Sequence, residues 1–575
     1  MRKLSNSGFN HGLTAIAVSL LTALCAVSFS SCSDKVYEEL NTDPTKTQTL
    51  DPSYQLAYAE KQIFGDMNYV DVHRLYTYAF TQHLMGCWNT TNYGGQHRVD
   101  DQEMGRPWNN LYTGAFRNLT DAMANTKDQP KQANVYAALT IFRVYVASLL
   151  TDFYGDVPYS EAGLNYLSNI TQPKYDTQQS IYKSFFKELD AAVALFSKSA
   201  DPIENDPMFN GDLEKWKRFA NSLRLRFAMR ISDVDPAEAQ TQFNAVNLNE
   251  VMASAADDAC VLHENISYSF GQESYKDFRG NALAKYFYGN DAANNPSYVC
   301  KTFWDQLFNN NDPRTTLICR FYIDDYMDIF TGEGRIDMTD SLVAAQRANA
   351  DKPVANPVKT GDFSYDPWPQ YNGLGGLVAR VAEVQAEHPD FSPNDNPRWT
   401  RPKLANNLLR SDNPGVIMTY AEVCFLRAEA AVLWATGDDP KAMYEEGVRA
   451  AIYFVTSHYG YEPVPDAEIN TYLTQPAVDF SLASSNDDKK KLINTQAWIL
   501  HFHNPAEAWA NLRRADAPAM ETPDLGKMMD GKTETPVRLC YPLKEGTYNN
   551  AAYQDAKNRV IGDYNWNARM WWDVK

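Results

Sequence analysis

Positive charge is in short supply in this sequence. Its 575 residues hold 53 Lys and Arg against 72 Asp and Glu, a formal net charge of -19. Residues 1–31 contribute Arg2 and Lys3 and no acid, so the remainder is more acidic still. Such a surface repels phosphate backbones and anionic lipid headgroups, which argues against nucleic acid as a partner and against electrostatic membrane binding. Cysteine is scarce as well. Six follow Cys32, namely Cys87, Cys260, Cys300, Cys319, Cys424 and Cys540, with no C-x-x-C pair among them. That is too few for a disulfide scaffold in a chain of this length. Catalytic signatures are missing: there is no G-x-S-x-G, P-loop, H-E-x-x-H or G-x-G-x-x-G. His263-Glu264 lacks the second His, and His501-Phe502-His503 sits in a helical context that turns the two imidazoles apart. The acidic run Asp324 to Asp328 would need Gly at Ile329 and Glu at Arg335 to be a calcium loop, so it reads as a solvated turn. Composition leaves room for a glycosidase carboxylate pair, but no feature selects one. No catalytic residue, metal ligand or cofactor is expected.

What is present begins with an address. Arg2 and Lys3 precede an apolar stretch from Leu13 to Phe29 with no charged side chain before Asp34. This is the shape of a secretory signal, shorter and more broken by Ser and Thr than a membrane span. It ends in Phe29-Ser30-Ser31-Cys32, small residues before a Cys, which resembles a bacterial lipobox. That pattern implies a signal peptide over 1–31 and lipid attachment at Cys32, whose acyl chains suffice for stable anchoring. Ser33-Asp34-Lys35 with Glu38 and Glu39 resembles the acidic export signal of Bacteroidetes surface lipoproteins. No later segment is expected to span a membrane.

Apolar residues make up 44% of the chain and 34 Tyr, 27 Phe and 12 Trp supply large side chains, most of them expected in the core. The length allows two or three lobes or one large helical domain. Helical spacing runs through 134–150 (Val135, Ala138, Phe142, Val146), 179–195 (Tyr182, Phe185, Phe186, Leu189) and 216–230 (Trp216, Phe219, Leu223, Phe227). It is clearest in 419–455, where Gly437-Asp438-Asp439-Pro440 stops one helix and starts the next. The result is a helical hairpin with small residues at its crossing, similar to a tetratricopeptide unit, though no strict period repeats. Asn-, Asp-, Pro- and Gly-rich stretches at 86–107, 196–212, 286–298, 331–375 and 385–415 read as loops. Strand signals are sparse. The expected fold is mainly α, helical hairpins with a loop-rich lobe and few short strands.

Several phrases, in order along nearly the whole mature chain, resemble the SusD/RagB family. Trp108-Asn109-Asn110-Leu111-Tyr112 comes first, ahead of an amphipathic helix, and Thr151-Asp152-Phe153-Tyr154-Gly155-Asp156-Val157-Pro158-Tyr159 ends the next helix. Lys215-Trp216-Lys217-Arg218-Phe219 runs on to Arg224 and Arg226, and Asp312-Pro313-Arg314 follows Phe303-Trp304. Met418 to Val423 with Leu426-Arg427-Ala428-Glu429-Ala430, Glu507-Ala508-Trp509 with Arg513-Arg514, and Trp571-Trp572-Asp573 complete the set. The arginines and acids in these phrases read as scaffold pairs or helix caps. The resemblance implies four tetratricopeptide-like units with an inserted lobe, spanning 32–575. It also implies a lipid-anchored outer-membrane protein, facing the cell exterior, that docks as a lid on a SusC/RagA-like TonB-dependent transporter and captures a glycan or peptide. A helical-repeat adaptor making only protein contacts is the competing expectation.

Ligand contacts are expected where flat aromatics meet amides and flexible glycines. Loop 86–98 offers Trp88, Asn89, Asn92, Tyr93, Gln96 and Arg98 around Gly94-Gly95. Loop 363–376 offers Tyr365, Trp368, Tyr371 and Asn372 beside Gly373, Gly375 and Gly376.

Overall fold

In the computed structural model the described residues are 50–85, 93–266, 277–286, 298–323, 336–337, 339–348, 402–560 and 562–574. Pro52–Lys575 forms one unit by its internal contacts; Met1–Asp51 is a second, nearly all of it, Cys32 included, outside the described residues.

Helices dominate, and four pairs of sequence neighbours stand out. Ala133–Tyr154 packs on Gln178–Leu195, Leu213–Arg230 on Pro236–Asn244, Tyr420–Trp434 on Pro440–His458, and Asn486–Leu500 on Pro505–Ala515. Each start carries a local cause. Thr177, Asp212, Asp235, Thr419, Asp439 and Ser485 accept backbone N–H groups of the first turn, and Pro occupies the first turn of three of these helices, where its missing N–H costs nothing. Tyr420–Trp434 ends one residue earlier than the Gly437 signal implies, because Ala435 itself takes the left-handed conformation at φ 51°. The hairpin crossing is as close as its small residues predict. A Cβ at Gly447 would come within 2.6 Å of the Phe425 ring, so only Gly fits there.

Ala133–Tyr154 lies at the centre. Counted from Pro130, it is long and apolar enough to cross a membrane, contrary to the expectation that no later segment qualifies, but 83% of its apolar window is buried inside the protein. It stops at Gly155, whose φ of +88° suits a residue without Cβ. Trp216, Trp304, Trp498, Trp509 and Trp572 are all fully buried, as the aromatic content predicts for core residues. Cys260, Cys300, Cys319 and Cys424 are buried free thiols and Cys540 is half-buried; Cys87 lies outside the described residues.

Two expected loops hold helices. Within 86–107, Asp100 caps Asp101–Met104 by accepting from Gln102 and Glu103 N–H, and Pro107 opens Arg106–Leu111. This turn runs on through Tyr112–Phe116 into Arg117–Thr126. Thr339–Ala348 is helical inside 331–375. Strands are short, as expected. Leu84–Met85, Tyr298–Val299, Lys403–Leu404 and Cys319–Arg320 form a four-stranded antiparallel sheet in that order.

Several of the phrases that carry the family resemblance meet through buried ion pairs. Arg226 donates to both oxygens of Glu422 at 2.6 and 2.7 Å and to the Ile417 carbonyl at 2.9 Å. Arg230 donates to Glu507 at 2.6 and 2.7 Å, and Arg514 to Glu429 at 2.8 and 2.7 Å. Asp152 accepts from Tyr182 Oη at 2.6 Å and from Trp572 Nε1 at 3.1 Å. Arg224 pairs with Asp190 and Arg427 with Asp438 nearer the surface. These side chains fix how the helix pairs stack, because a buried charge is tolerated only where its partner is in register.

Candidate functional site

Three of the expected ligand residues in loop 86–98 are described, Tyr93, Gln96 and Arg98. Tyr93 is half-buried, its ring meeting Tyr76 in a T-shaped contact at 5.9 Å and lying under the Arg98 guanidinium at 4.8 Å. The Arg98 N–H donates to the Tyr93 carbonyl at 2.8 Å, and Tyr76 Oη donates to the Arg98 carbonyl at 3.1 Å. The sequence suggests a hinge at Gly94-Gly95, but Gly94 is clamped. Its N–H donates to the Leu75 carbonyl, and a Cβ there would approach that oxygen to 2.7 Å. Trp88, Asn89 and Asn92 lie outside the described residues, as do Trp368, Tyr371 and Asn372 and the acidic run from Asp324.

The small sheet brings a strand that precedes loop 86–98 near one that comes after 363–376 in the chain. Leu84–Met85 leads directly into 86–98, and Lys403–Leu404 follows the segment that contains 363–376. One strand, Tyr298–Val299, separates them. The far end of loop 86–98 is anchored to the C-terminal part of the chain. Met529 N–H donates to the Gln96 carbonyl at 2.8 Å, and His97 Nδ1 lies 3.2 Å from Asp530 Oδ1, whose other oxygen accepts from Trp566 Nε1 at 3.2 Å.

Next to that anchor is a cavity of about 830 Å³, walled by residues 509–520, 525–537 and 567–573. It is not legible in the sequence, because 516–537 has no periodicity and the facing wall lies thirty residues on; the run of Pro, Thr, Gly and acids is the available signal. Arg513 forms one wall. Its guanidinium stacks 3.9 Å from the Trp509 ring and 4.9 Å from Trp572, with Nε donating to the Trp509 carbonyl and Nη1 to the Val537 carbonyl. Burial pulls its pKa down to about 9, since Asp152 and Asp573 offset the lost hydration only in part. Asp573 accepts from Arg569 at 2.8 Å. The rim carries exposed Leu525, with Met529 and Val99 exposed beside the loop anchor.

Among the described residues, Glu422, His501 and Glu507 are close enough to hold a metal ion. Both carboxylates are already neutralised by Arg226 and Arg230, which makes the cluster part of the scaffold network rather than a cation site. His503 turns away from it to meet Tyr459 Oη at 2.8 Å, so the two imidazoles diverge as the helical context predicts.

A family model described as SusD-like, "Starch-binding associating with outer membrane", matches residues 44–346 and 376–542. Among solved structures, a SusD-like protein of Bacteroidetes AC2a is 61% identical with a TM-score of 0.85, the match covering 92% of this chain and 100% of that one. A chitin-binding protein is 30% identical with a TM-score of 0.71, over 91% of this chain and 100% of its own. A SusD homolog from Bacteroides fragilis, 21% identical with a TM-score of 0.64 over 92% and 100%, shares the fold. No curated protein matches the sequence.

Proposed function

The chain belongs to the SusD-like family of starch-binding proteins that associate with the outer membrane, and from that premise we propose that it is a surface lipoprotein that captures a glycan or oligopeptide without transforming it. It hands the nutrient to a TonB-dependent barrel transporter, over which it sits as a lid. Cys32 carries the lipid anchor and residues 1–31 are the signal peptide. The observation that carries this reading is the family match across both halves of the chain, joined to a 30% identical relative that is a chitin-binding protein. In this reading Trp88, Asn89, Asn92, Tyr93 and Arg98 contact the ligand from one loop, and Trp368, Tyr371 and Asn372 from the other.

The adaptor reading retains one specific observation. A hollow of about 620 Å³ lies along Pro440–His458, walled also by Tyr420 and by residues 253–256 and 463–469, with Tyr453 53% exposed on its lining. Such a surface suits a protein partner, and partner binding without nutrient binding would favour it.

Trp88 offers the direct test. Stacking on a base is worth about 1–3 kcal/mol, and a sugar face without π-electrons belongs at the low end. Trp88→Ala is therefore expected to weaken ligand binding by several-fold to about tenfold with an unchanged melting temperature. A large fall in melting temperature with unchanged affinity of the folded fraction would make Trp88 a packing residue.

A further inference from the structure

Pro52–Gly65, the first helix among the described residues, buries several polar side chains. Gln55 donates to Asp121 at 2.7 Å, and Gln62 donates to Asp66 at 2.8 Å and accepts from the Ala115 N–H at 2.6 Å. Glu60 differs. It is 0% exposed, and neither carboxyl oxygen meets a hydrogen-bond donor among the described residues. A buried acid left in that state costs the full desolvation of the group. Beside it lies a second buried carboxyl, that of Asp206, within hydrogen-bonding reach.

The two acids are not equivalent. Asp206 Oδ1 accepts from the Met208 and Phe209 N–H groups at 2.9 and 3.0 Å, and Oδ2 from the Gly211 N–H at 3.0 Å and Trp216 Nε1 at 2.8 Å. Four N–H groups stabilise negative charge on Asp206, and none does so on Glu60. Two carboxylates in contact away from water cannot both be ionised, so the pair holds one proton, and it lies on Glu60. The Glu60 O–H then has an acceptor in Asp206. The N–H groups point their positive ends into the site, which disfavours a metal ion there.

Other charges near the helix are engaged. Lys61 donates to the Leu262 carbonyl at 2.5 Å and is the one cation that bears on Glu60. Asp121 and Asp66 face Gln55 and Gln62, and Arg117 lies near Tyr58. Of the other elements packed on the helix, Met67–Val72 brings Asp71, which meets Arg74, and Ala133–Tyr154 brings Arg143 and Asp152, which meet Glu188 and Tyr182. Asp212, beyond the Asp206 turn, accepts from the Glu214 and Lys215 N–H groups. Burial, with the Asp206 charge behind it, pushes the Glu60 carboxyl well above its ordinary 4.5, and Lys61 offsets this only in part.

We propose that Glu60 and Asp206 share one proton and act as a pH-sensitive latch that closes the first helix onto the turn at 206–211. With the proton in place, a hydrogen bond joins helix and turn. Its loss sets two buried negative charges against each other and opens the contact. The end of Ala259–Val261 meets the same turn, since the Leu262 N–H donates to the Pro207 carbonyl at 3.0 Å, so the latch governs a junction of helix, turn and strand. A carboxyl raised on folding leaves stability intact below its unfolded value of 4.5 and loses it as pH rises toward the folded one. Between the two, the unfolded chain releases a proton that the folded chain keeps. This group alone then lowers the folding equilibrium constant about tenfold per pH unit.

The test compares the wild type with Glu60→Gln, whose amide donates to Asp206 and has no proton to lose, in urea unfolding from about pH 5 to about pH 8. Relative to the variant, the wild type is expected to lose about tenfold in folding equilibrium per pH unit. Hydrogen exchange, corrected for its intrinsic pH dependence, should place the loss on residues 52–65 first. If Glu60→Gln does not fold, Glu60→Met, similar in size and without a proton to lose, replaces it. Parallel pH curves for wild type and variant would overturn the shared proton. A loss of protection spread evenly over the chain would overturn the latch. Stabilisation of the wild type but not of the variant by added calcium would overturn the proton in favour of a metal ion.

Discussion

Glu422→Ala is expected to destabilise the protein by about 3–5 kcal/mol, the cost of stranding a buried cation. Glu422 and Arg226 are 3% exposed each, and Arg226 spends three of its hydrogen bonds on Glu422 and the Ile417 carbonyl. With Glu422 gone, the nearest remaining carboxylate is Glu507 at 3.7 Å, which already serves Arg230. Asp190→Ala provides the contrast. Asp190 also pairs with an arginine of the same helix, but its side chain is 71% exposed, so its loss should cost no more than about 1 kcal/mol. Urea unfolding monitored by circular dichroism reads both, as a large midpoint shift for the first at unchanged slope and a small one for the second. Equal shifts would deny the network its role in aligning the helix pairs. The pH dependence follows the same logic. Burial alone would raise the Glu422 pKa, but Arg226 and His501 outweigh it and hold the carboxyl at about 2 in place of 4.5. A carboxyl lowered on folding contributes stability above its unfolded value and loses it as pH falls toward the folded one. The wild type should therefore lose stability between pH 4.5 and about 2, and Glu422→Ala should lose less over that window.

Cys32→Ala is expected to release the protein from the membrane almost completely. The acyl chains carried by a lipobox cysteine exceed the two signals that stable anchoring requires. The rest of the chain supplies no substitute, since its surface is acidic and its one helix of membrane-spanning length among the described residues is buried in the core. Labelling with a fatty-acid probe, followed by fractionation, should show the label lost and the protein in the soluble fraction. Persistent label, or unchanged sedimentation with membranes, would remove Cys32 from its role.

The helices were legible because their signals are local. Expectation and structure agree within a few residues for Gln178–Leu195 and Leu213–Arg230, where apolar spacing and an adjacent cap coincide in sequence. Asp101–Met104 was hidden because a polar first turn reads as loop, although the Asp100 cap stood beside it. Pairing of the arginines with acids was also legible, but not the partners. Arg226 meets Glu422 and Arg514 meets Glu429 across long stretches of chain, which no spacing rule reaches. The cavity was invisible for the same reason: Arg513, Glu534 and Asp573 converge only through the tertiary fold, on segments without periodicity. Aromatic loop residues announced themselves by composition, and of these Tyr93 turns out to be half-buried under Arg98.

The most direct measurement is equilibrium binding of the soluble chain beginning at Ser33 to neutral oligosaccharides, with no other protein present and the sugar recovered afterwards for chromatography. Saturable binding at a fixed stoichiometry, with every oligosaccharide recovered at its original length, is the predicted result. A folded chain that leaves all sugars and peptides free, or that returns shortened products through successive purification steps, would contradict nutrient capture without catalysis.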